Sequence, residues 1–320
     1  MKQRVLILGG SYFGGKRIKE VFFQEGYEVS ILNRGTNKEE CNEIEQIICD
    51  RNSLEDMKQS LFGRNFDFVV DVSWQDITWV KYLCEALDFS TVKTFVFISS
   101  SAVYDVEHLS IPFKEEDALG ENKYWTFYGK GKIVAEEYYR NHLVNKDTKL
   151  IILRPPYLYG PYNYAQRESF IFRQIVEHKP VKIPSSNPKL QFLHTTDLGK
   201  IVVNLCETVK EKCNIYNVGN KEYITSKDWI IECGRVVGVE PTIVECDYNL
   251  LGKKVRDFYP FFDYDNVLDA TKVSNFDWME TSFHEGLKEA YEWFLANRSG
   301  IVFKESVDRN LYEMIAELSI

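Results

Sequence analysis

The residues best suited to chemistry lie in the string FYGKGKIVAEEY, which contains the spacing Tyr128-x-x-x-Lys132. In a helix this spacing places both side chains on one face. A lysine ammonium group near a tyrosine stabilises the phenolate and lowers the tyrosine pKa from its usual value of about 10. Tyr128 is then able to exchange a proton with a substrate hydroxyl near neutral pH.

The same spacing recurs at Tyr12/Lys16 and Tyr223/Lys227, so spacing alone does not select a site. Position distinguishes the three pairs, because only Tyr128 follows, by one loop, an apolar strand that ends in ISSSAVY. A serine hydroxyl at that strand tip would polarise the same carbonyl oxygen that Tyr128 protonates. The sequence therefore predicts a site that combines a serine with the tyrosine–lysine pair.

A glycine cluster follows the first apolar strand, in the string LILGGSYFGGKR. Residues 10–16 approach a mononucleotide P-loop, but Arg17 stands where that loop needs a Ser or Thr to bind magnesium. A dinucleotide loop fits better, with Gly9 for the tight turn and Gly15 for close helix–strand packing. Tyr12 takes the place of the usual middle glycine, which requires its side chain to turn outward. A plain strand–helix turn, with glycines used only for geometry, remains the alternative.

The end of the second strand bears on cofactor choice, since it reads ILNRG and carries Asn33 and Arg34. An acidic side chain at this place binds the ribose hydroxyls of NAD, whereas Asn plus Arg favours the 2′-phosphate of NADP. Asp50 ends the string IICD and either faces the adenine or lies in a solvated turn. The candidate cofactors are thus NADP and NAD, with Arg34 favouring NADP.

Short apolar runs alternate with helical periodicity as far as Pro155, which predicts a doubly wound α/β domain with a parallel sheet. Ligands in such domains bind at the carboxyl ends of the strands. Beyond Pro155 the alternation loosens, and residues 281–297 and 303–318 are expected to be helical.

Composition excludes several classes of protein. The 320 residues are 44% hydrophobic and carry a net charge of −9, which disfavours nucleic acid and anionic membranes. The seven cysteines form no C-x-x-C and no Cys/His cluster, so we expect reduced thiols, no metal site and a cytoplasmic protein. No apolar run approaches the length of a membrane span.

Seven strings together resemble the extended short-chain dehydrogenase/reductases of the NAD-dependent epimerase/dehydratase superfamily. In order they are GGSYFGG, ISSSAVY, YGKGK, LRPPYLYGP, QFLHTTDLG, YNVGN and SFHEGLKEAYEWF, ending near residue 297. The resemblance implies a Rossmann core over 1–160, joined by strands from about 190–218, and a smaller substrate-binding region over 161–298. Residues 299–320 lie beyond the pattern, as a helical extension that docks on its own domain or on a second subunit of a homodimer.

The resemblance also assigns roles. Tyr128 would be the general base and acid, and Lys132 would hold the nicotinamide ribose. The family's Ser/Thr stands three residues before the VY pair, which selects Ser100, with Ser101 as the next candidate. The candidate cofactor-binding residues are Gly9, Gly10, Tyr12, Phe13, Gly15, Asn33, Arg34, Asp50, Lys132 and Pro155, and the candidate substrate-binding residues are Ser101, Tyr157 and Arg256.

Three departures from the family pattern bear on the reaction. Dehydratases of this type carry an Asp-Glu pair after the catalytic Ser/Thr, where this chain has Ser101 and Ala102, so dehydration is not expected. Epimerases often have Asn where Tyr157 stands. Tyr12 matches a subgroup with loops such as GGTRFIG, some of whose members bind RNA in plastids.

The sequence therefore predicts an NAD(P)-dependent oxidoreductase that transfers a hydride at an alcohol or ketone carbon, with a nucleotide-sugar as the substrate of an epimerase-like reaction. The first alternative is an NADPH-dependent reductase of a non-sugar carbonyl. The second is a non-catalytic protein of the same fold that binds nucleic acid or senses the cofactor, although the net charge disfavours nucleic acid as a partner.

Overall fold

The computed structural model of the chain describes residues 2–72, 76–276, 278–307 and 309–311. These residues divide into two compact units. The first comprises Met1–Leu158, Thr195–Lys221 and Leu268–Glu280, and the second comprises Tyr159–His194, Glu222–Val267 and Thr281–Ile320.

Most strands are short and almost fully buried, as the apolar runs of the sequence predict. They are β1 (Arg4–Leu8), β2 (Glu28–Asn33), β3 (Glu45–Ile48), β4 (Phe68–Asp71), β5 (Thr94–Ile98), β6 (Lys149–Arg154), β7 (Tyr157–Tyr159), β8 (Val181–Pro184), β9 (Lys189–Leu190), β10 (Phe192–His194), β11 (Cys213–Asn217), β12 (Ile224–Thr225) and β13 (Ile243–Cys246).

The helices alternate with the strands through the first half of the chain. They are α1 (Phe13–Gln24), α2 (Leu54–Leu61), α3 (Ile77–Ala86), α4 (Thr126–Leu143), α5 (Arg167–Val176), α6 (Thr195–Thr208), α7 (Ser226–Val237), α8 (Thr271–Ser274) and α9 (Phe283–Asn297), with short 3-10 helices at Phe89–Thr91, Ser101–Val103, Val255–Asp257 and Arg298–Gly300.

The first unit is built on a parallel sheet that, in the described part of the chain, has seven strands in the order β11-β6-β5-β4-β1-β2-β3. This order confirms the predicted doubly wound, Rossmann-type sheet. The strand order reverses between β1 and β4, so the loops that follow these two strands lie at the topological switch point. Of the strands expected between residues 190 and 218, β11 joins the sheet. β10 does not, because it pairs with β7 in a separate two-stranded sheet.

Local sequence explains where several helices begin. Ser53 opens the helical pattern SLEDMKQSLF, which makes it the expected N-cap, and its side chain does cap α2 by accepting a hydrogen bond from the backbone N–H of Asp56. Ser282 and Glu285 form a reciprocal capping box at the start of α9. The sequence pattern predicts a helix over residues 131–143, but α4 begins at Thr126, five residues earlier, so Tyr128 and Lys132 both belong to it.

The second unit has an aromatic core. The rings of Phe192 and Trp229 stack with centroids 3.8 Å apart, and Tyr159, Phe261 and Phe283 meet Trp229 edge-on. Such edge-to-face contacts are favourable beyond the burial of apolar area. Trp229 belongs to α7, which packs against α5 and α9 in the same unit.

Residues 301–311 of the C-terminal extension contact the second unit. Gln166 donates a hydrogen bond to the carbonyl of Val302 at 2.9 Å, Arg173 lies 4.1 Å from the Phe303 ring centroid, and Lys182 donates to the carbonyl of Leu311. Residues 305–307 and 309–311 are helical. The predicted continuation through residues 312–320 lies outside the described residues.

A buried carboxyl group in the first turn of α5 should make the stability of the protein depend on pH. Burial raises the pKa of Glu168 from its ordinary 4.5 to about 7, although Asn163 donates a hydrogen bond to it at 2.7 Å. Between these two pH values the folded state holds a proton that the unfolded state has released. The free energy of unfolding should therefore fall as pH rises, by about 1.4 kcal/mol per pH unit.

Glu168→Gln should remove this fall, which urea unfolding at pH 5, 6, 7 and 8 would measure. The exposed Glu240→Gln is the matched control and should keep the wild-type slope. A Glu168→Gln protein with the wild-type slope would show that Glu168 ionises in the folded state as easily as in the unfolded one.

Candidate active site

The glycine-rich loop joins β1 to α1 at the switch point. Tyr12 is the N-cap residue of α1 and its side chain is 55% exposed, so it does turn outward. Within the described residues Tyr12 makes no side-chain capping bond, and the first turn of α1 carries no acidic residue. Helices α2 and α3 are capped by Ser53 and Asp76. The start of α1 thus presents backbone N–H groups and the positive dipole end, which suits a phosphate.

The turn itself is tight. Gly9 has a φ of 96°, and a Cβ on Gly10 would come within 2.7 Å of the Ile31 side chain. Phe13, although not a glycine, has a φ of 43° and is buried. A non-glycine residue held in this region stores about 1–3 kcal/mol of strain, a cost that folded proteins retain mostly at functional sites.

Gly15 and Gly14 offer a matched test of this loop. A Cβ on Gly15 would lie 2.2 Å from the carbonyl oxygen of Gly9, whereas one on Gly14 would meet the Leu158 side chain at an ordinary 3.4 Å. Gly15→Ala should push α1 away from the loop, cost on the order of 1–3 kcal/mol of unfolding free energy and weaken dinucleotide binding. Gly14→Ala should change neither. Thermal unfolding and nicotinamide fluorescence would measure both, and equal behaviour of the two variants would contradict the close approach.

Asn33 fastens the loop after β2 to the glycine-rich loop. Its amide donates to Ser11 Oγ at 2.8 Å, and its Oδ1 accepts from the N–H of Gly35 at 2.8 Å and from Gln46 at 2.9 Å. Arg34 next to it is exposed. Ser11 and Gln46 could not be identified from the sequence, because their roles depend on which loops meet.

Asp50, at the end of the β3 segment, is an exposed carboxylate. The backbone and side chain of Asn52 hold the pKa of Asp50 below its ordinary value, and the charge of Arg34 adds to this effect. Arg34 and Asp50 are therefore close enough to interact, at the edge of the sheet where the second and third strands end.

The three serines after β5 differ in burial. The Ser99 hydroxyl is buried and donates to Glu136, and Ser101 is buried with its backbone N–H bonded to the carbonyl of Pro155 at 2.8 Å. Ser100 is half-buried and its Oγ accepts from the N–H of Ala102 at 3.1 Å, which caps the 3-10 helix Ser101–Val103. A hydroxyl that accepts one bond keeps its own proton to donate. Of the three, Ser100 is therefore the serine best placed to reach a ligand.

The start of α4 packs directly on that 3-10 helix. A Cβ on Gly129 would lie 2.3 Å from the carbonyl oxygen of Ala102, so only glycine allows this approach. The buried Asn122 donates hydrogen bonds from its side-chain amide to the carbonyls of Ala102 and Tyr104. Its Oδ1 accepts a hydrogen bond from the backbone N–H of Trp125. These contacts bring the turn that carries Tyr128 next to the turn that Ser100 caps.

Lys132 is buried one helical turn after Tyr128. Its Nζ donates to the carbonyl of Ile98 at 2.7 Å and lies 4.7 Å from the Phe97 ring centroid and 5.9 Å from that of Tyr128. Burial lowers the pKa of Lys132 to about 8. The ammonium group thus lies beside the Tyr128 ring at the carboxyl end of β5.

Aromatic side chains flank Tyr128. Its ring centroid lies 5.9 Å from that of Trp125, which lies 6.1 Å from that of the buried Tyr157. The structure thus brings together all predicted site residues that belong to the first unit at or near the carboxyl ends of β1, β2, β3, β5 and β6.

Arg256 belongs to the second unit. It is exposed, lies 5.3 Å from the Phe262 ring centroid and lines a cavity of about 390 Å³. Arg173 and Lys304 line the same cavity, and none of the described lining residues is acidic. The cavity therefore suits an anionic ligand.

Two buried ion pairs beneath the site were not identified from the sequence. Arg51 binds both carboxylate oxygens of Asp71 at 2.9 and 3.1 Å, and Arg154 binds those of Glu136 at 3.0 and 2.7 Å. The available signal was that Asp71 and Arg154 each follow a run of at least three apolar residues at the end of a strand.

The described residues contain neither a cluster of three or more His, Cys, Asp or Glu suited to a metal nor a helix long and apolar enough to span a membrane. Their geometry does fit a dinucleotide. The uncapped start of α1 fits the pyrophosphate, and Asn33, Arg34 and Asp50 lie where the adenosine end would follow.

Known structures share this fold. One is UDP-glucose 4-epimerase from Bifidobacterium longum in complex with NAD⁺ and UDP (TM-score 0.76, 16% identity, covering 93% of this chain and 100% of that chain). Another is dTDP-glucose 4,6-dehydratase from Bacillus anthracis in complex with NAD (TM-score 0.76, 18% identity, covering 93% and 98%). Because one of these neighbours is a dehydratase, the expectation from the sequence that dehydration is excluded is not supported.

Among curated proteins, the chain is 26% identical over 308 residues to the chloroplast stem-loop binding protein of 41 kDa b of Arabidopsis thaliana, covering 91% of this chain and 79% of that protein. Residues 5–219 match the NAD dependent epimerase/dehydratase family. That match spans most of the chain, including the glycine-rich loop, the serines after β5 and the tyrosine–lysine pair. The protein belongs to the NAD dependent epimerase/dehydratase family.

Proposed function

We propose that the protein is an NAD(P)-dependent oxidoreductase of the epimerase type that acts on a nucleotide-sugar. It would oxidise one alcohol carbon and reduce the resulting ketone from its other face, so that the carbon inverts. The observation that carries this proposal is the close packing of α4, through Gly129, on the turn that Ser100 caps, with Lys132 buried beneath Tyr128.

When bound, the nicotinamide supplies the acceptor and donor of the hydride. Tyr128 would accept the hydroxyl proton as the alcohol becomes a carbonyl and return it on reduction. Ser100 would donate its own proton in a hydrogen bond to the same oxygen, while the ammonium group of Lys132 favours the phenolate form of Tyr128. Each proton that leaves the substrate is thus held on a named side chain until it returns.

The substrate class is supported by the cavity that Arg256 lines. Arginine and lysine side chains bind phosphate oxygens through charge-assisted hydrogen bonds. Arg256, Arg173 and Lys304 supply such groups, and the aromatic lining residues Tyr164 and Phe303 supply apolar surface for a base. A ligand with a diphosphate and a planar base fits this composition.

The test begins with the cofactor. The purified protein is first checked for retained cofactor and then titrated with NADH and with NADPH by nicotinamide fluorescence. UDP- and dTDP-linked hexoses are then added, and proton NMR follows the sugar signals. A C4 epimer without net change of the cofactor is the expected result. Loss of water from the sugar would make the protein a dehydratase, and binding of neither cofactor would overturn the proposal.

Arg34 is proposed to bind the 2′-phosphate of NADPH. Arg34→Ala should then weaken NADPH binding by about tenfold, as expected for one lost charge-assisted hydrogen bond, and leave NADH binding unchanged. Lys81→Ala, an exposed cation on α3, is the control. Equal losses for the two cofactors, or stronger binding of NADH by the wild type, would assign NAD instead.

A second candidate function is supported by the Arabidopsis relative, whose name describes stem-loop binding. Nucleic-acid binding by this chain would show as an increase in fluorescence anisotropy of a labelled RNA stem-loop that falls steeply with salt. The net charge of −9 argues against it. Salt-sensitive binding that survives in a Tyr128→Phe protein without turnover would favour this second function.

A further inference from the structure

Asp71 occupies a distinctive place in the sheet. It ends β4, where the register pairs it with Leu8 on one side and with Phe97 on the other. Leu8 leads directly into the glycine-rich loop, and the Phe97 ring lies under the ammonium group of Lys132. A fully buried carboxylate thus lies at the switch point, between the predicted dinucleotide loop and the predicted proton-transfer group.

Two neighbours hold this carboxylate in one position. Arg51 grips both of its oxygens, and the Tyr139 hydroxyl donates to Oδ2 at 2.6 Å. The Arg51 guanidinium is itself fixed, since it lies 4.8 Å from the Trp79 ring centroid. A bidentate pair with a third hydrogen bond leaves the carboxylate little freedom to rotate.

Tyr139 also connects Asp71 to the helix that carries Lys132. The two residues are seven positions apart on α4, which places them on the same face two turns apart. Both contact Phe97, since the Tyr139 ring centroid lies 5.1 Å from that of Phe97 and Lys132 Nζ lies 4.7 Å from it. The phenol that bonds the Asp71 carboxylate and the ammonium group of Lys132 therefore both contact one aromatic ring.

The charged groups that face Lys132 come from four elements. They are Asp71 on β4, Arg51 after β3, Glu136 and the titratable Tyr128 and Tyr139 on α4, and Arg154 on β6 behind Glu136. Burial opposes the charge on Lys132, the carboxylates of Asp71 and Glu136 favour it, and Arg51 opposes it. The effect of the Asp71 carboxylate on Lys132 exceeds the opposing effect of Arg51, so loss of this carboxylate should alter the protonation of Lys132.

We propose that Asp71 is a positioning residue whose carboxylate, fixed by Arg51 and Tyr139, keeps the Lys132 ammonium group charged beside Tyr128. The proposal rests on the proposed function, in which a charged Lys132 favours the Tyr128 phenolate. The Arg51–Asp71 pair thereby contributes to proton transfer as well as to the fold.

The test measures Lys132 directly. The full chain is prepared with lysine labelled at Cε and Nζ, Lys132 is assigned from the missing signal of a Lys132→Gln variant, and its pKa is read from an NMR titration. Asp71→Asn should lower the pKa of Lys132 by about one unit or more, because a carboxylate is lost while Arg51 remains. Glu85→Gln removes a carboxylate from an exposed pair with Lys58 on the same unit and should leave Lys132 unchanged.

A second variant guards against misfolding. Arg51→Met/Asp71→Leu replaces the ion pair with apolar groups, an exchange that buried pairs often tolerate. It should shift the pKa of Lys132 in the same direction as Asp71→Asn, but less, because the opposing Arg51 charge is also gone. An unchanged Lys132 pKa in a folded Asp71→Asn protein, or in the double variant where the single one does not fold, would overturn the proposal.

Turnover gives an independent readout. If catalysis needs the charged Lys132, the rate should fall as pH rises through its pKa, and Asp71→Asn should move that fall to lower pH. A protein without turnover on any nucleotide-sugar would defeat the proposed function and leave the Lys132 titration intact as a test of Asp71. The two failures are therefore distinguishable.

Discussion

Replacing Tyr128 with Phe should reduce turnover by about 10²–10⁴-fold, the usual loss when a general acid–base group is removed. The substitution removes one hydroxyl and keeps the ring that packs against Trp125 at 5.9 Å, so the fold should persist. Cofactor affinity should stay within about twofold, because the loss concerns an interaction made only as the proton moves.

Tyr138→Phe is the matched control on the same helix. The Tyr138 ring stacks on His142 with centroids 6.3 Å apart, away from the carboxyl end of β5. Loss of the Tyr138 hydroxyl should therefore leave turnover unchanged. The measurement is single-turnover kinetics on the nucleotide-sugar that gives the largest NMR change. Full turnover by Tyr128→Phe would remove the tyrosine from the chemistry and, with it, the proposed mechanism.

A pH profile would separate the roles of Tyr128 and Lys132. The pKa of Lys132, lowered by burial to about 8, lies within the range where enzyme rates are measured. The wild-type rate should fall at alkaline pH. If the slower Lys132→Gln protein does not show this fall, the alkaline limb of the pH–rate profile reports deprotonation of the Lys132 ammonium group. A limb that persists would assign it to another group.

Periodicity and loop chemistry predicted the sheet and the family, because both depend on residues near one another in the chain. The run RVLIL forms β1 and leads directly into the glycines of the next loop. Ser53 caps α2 by bonding the N–H of Asp56, which is only three residues further along the chain. The orientation of Tyr12 was also a local inference, since it requires only that the side chain turn out of the loop, and this side chain is 55% exposed.

The charged interior could not be predicted in this way. Arg51 and Asp71 are 20 residues apart, and Glu136 and Arg154 are 18 apart, so their pairing depends on which strands become neighbours. Residues 268–280, which belong to the first unit, are a similar case. Sequence patterns identify what a strand buries on average, whereas strand order decides which charges meet at its end.

The buried Arg154–Glu136 ion pair should contribute to the stability of the fold. The pair lies at the end of β6 and on the inner face of α4, and both side chains are almost fully buried. Arg154 also bonds the Tyr104 hydroxyl at 3.1 Å and the carbonyl of Glu115 at 3.0 Å, and Ser99 donates to Glu136. The guanidinium therefore joins α4, the turn after β5 and the loop that contains Glu115.

Glu136→Gln should lower the free energy of unfolding by about 3–5 kcal/mol, because it leaves the Arg154 charge buried without its carboxylate. Glu137→Gln, next to it on the exposed face of α4, should change stability by less than about 0.5 kcal/mol. Urea unfolding at fixed pH measures both. A Glu136→Leu/Arg154→Met protein should recover most of the loss, because it removes both charges together.

A small loss in Glu136→Gln would mean that the hydrogen bonds from Arg154 to Tyr104 and Glu115 suffice to hold the guanidinium. A large loss that the double variant does not recover would mean that packing of α4 on β6, and not the charge pair, sets the stability. Only a large loss with recovery fits a neutralised pair that fixes α4 in place and, through it, the positions of Tyr128 and Lys132.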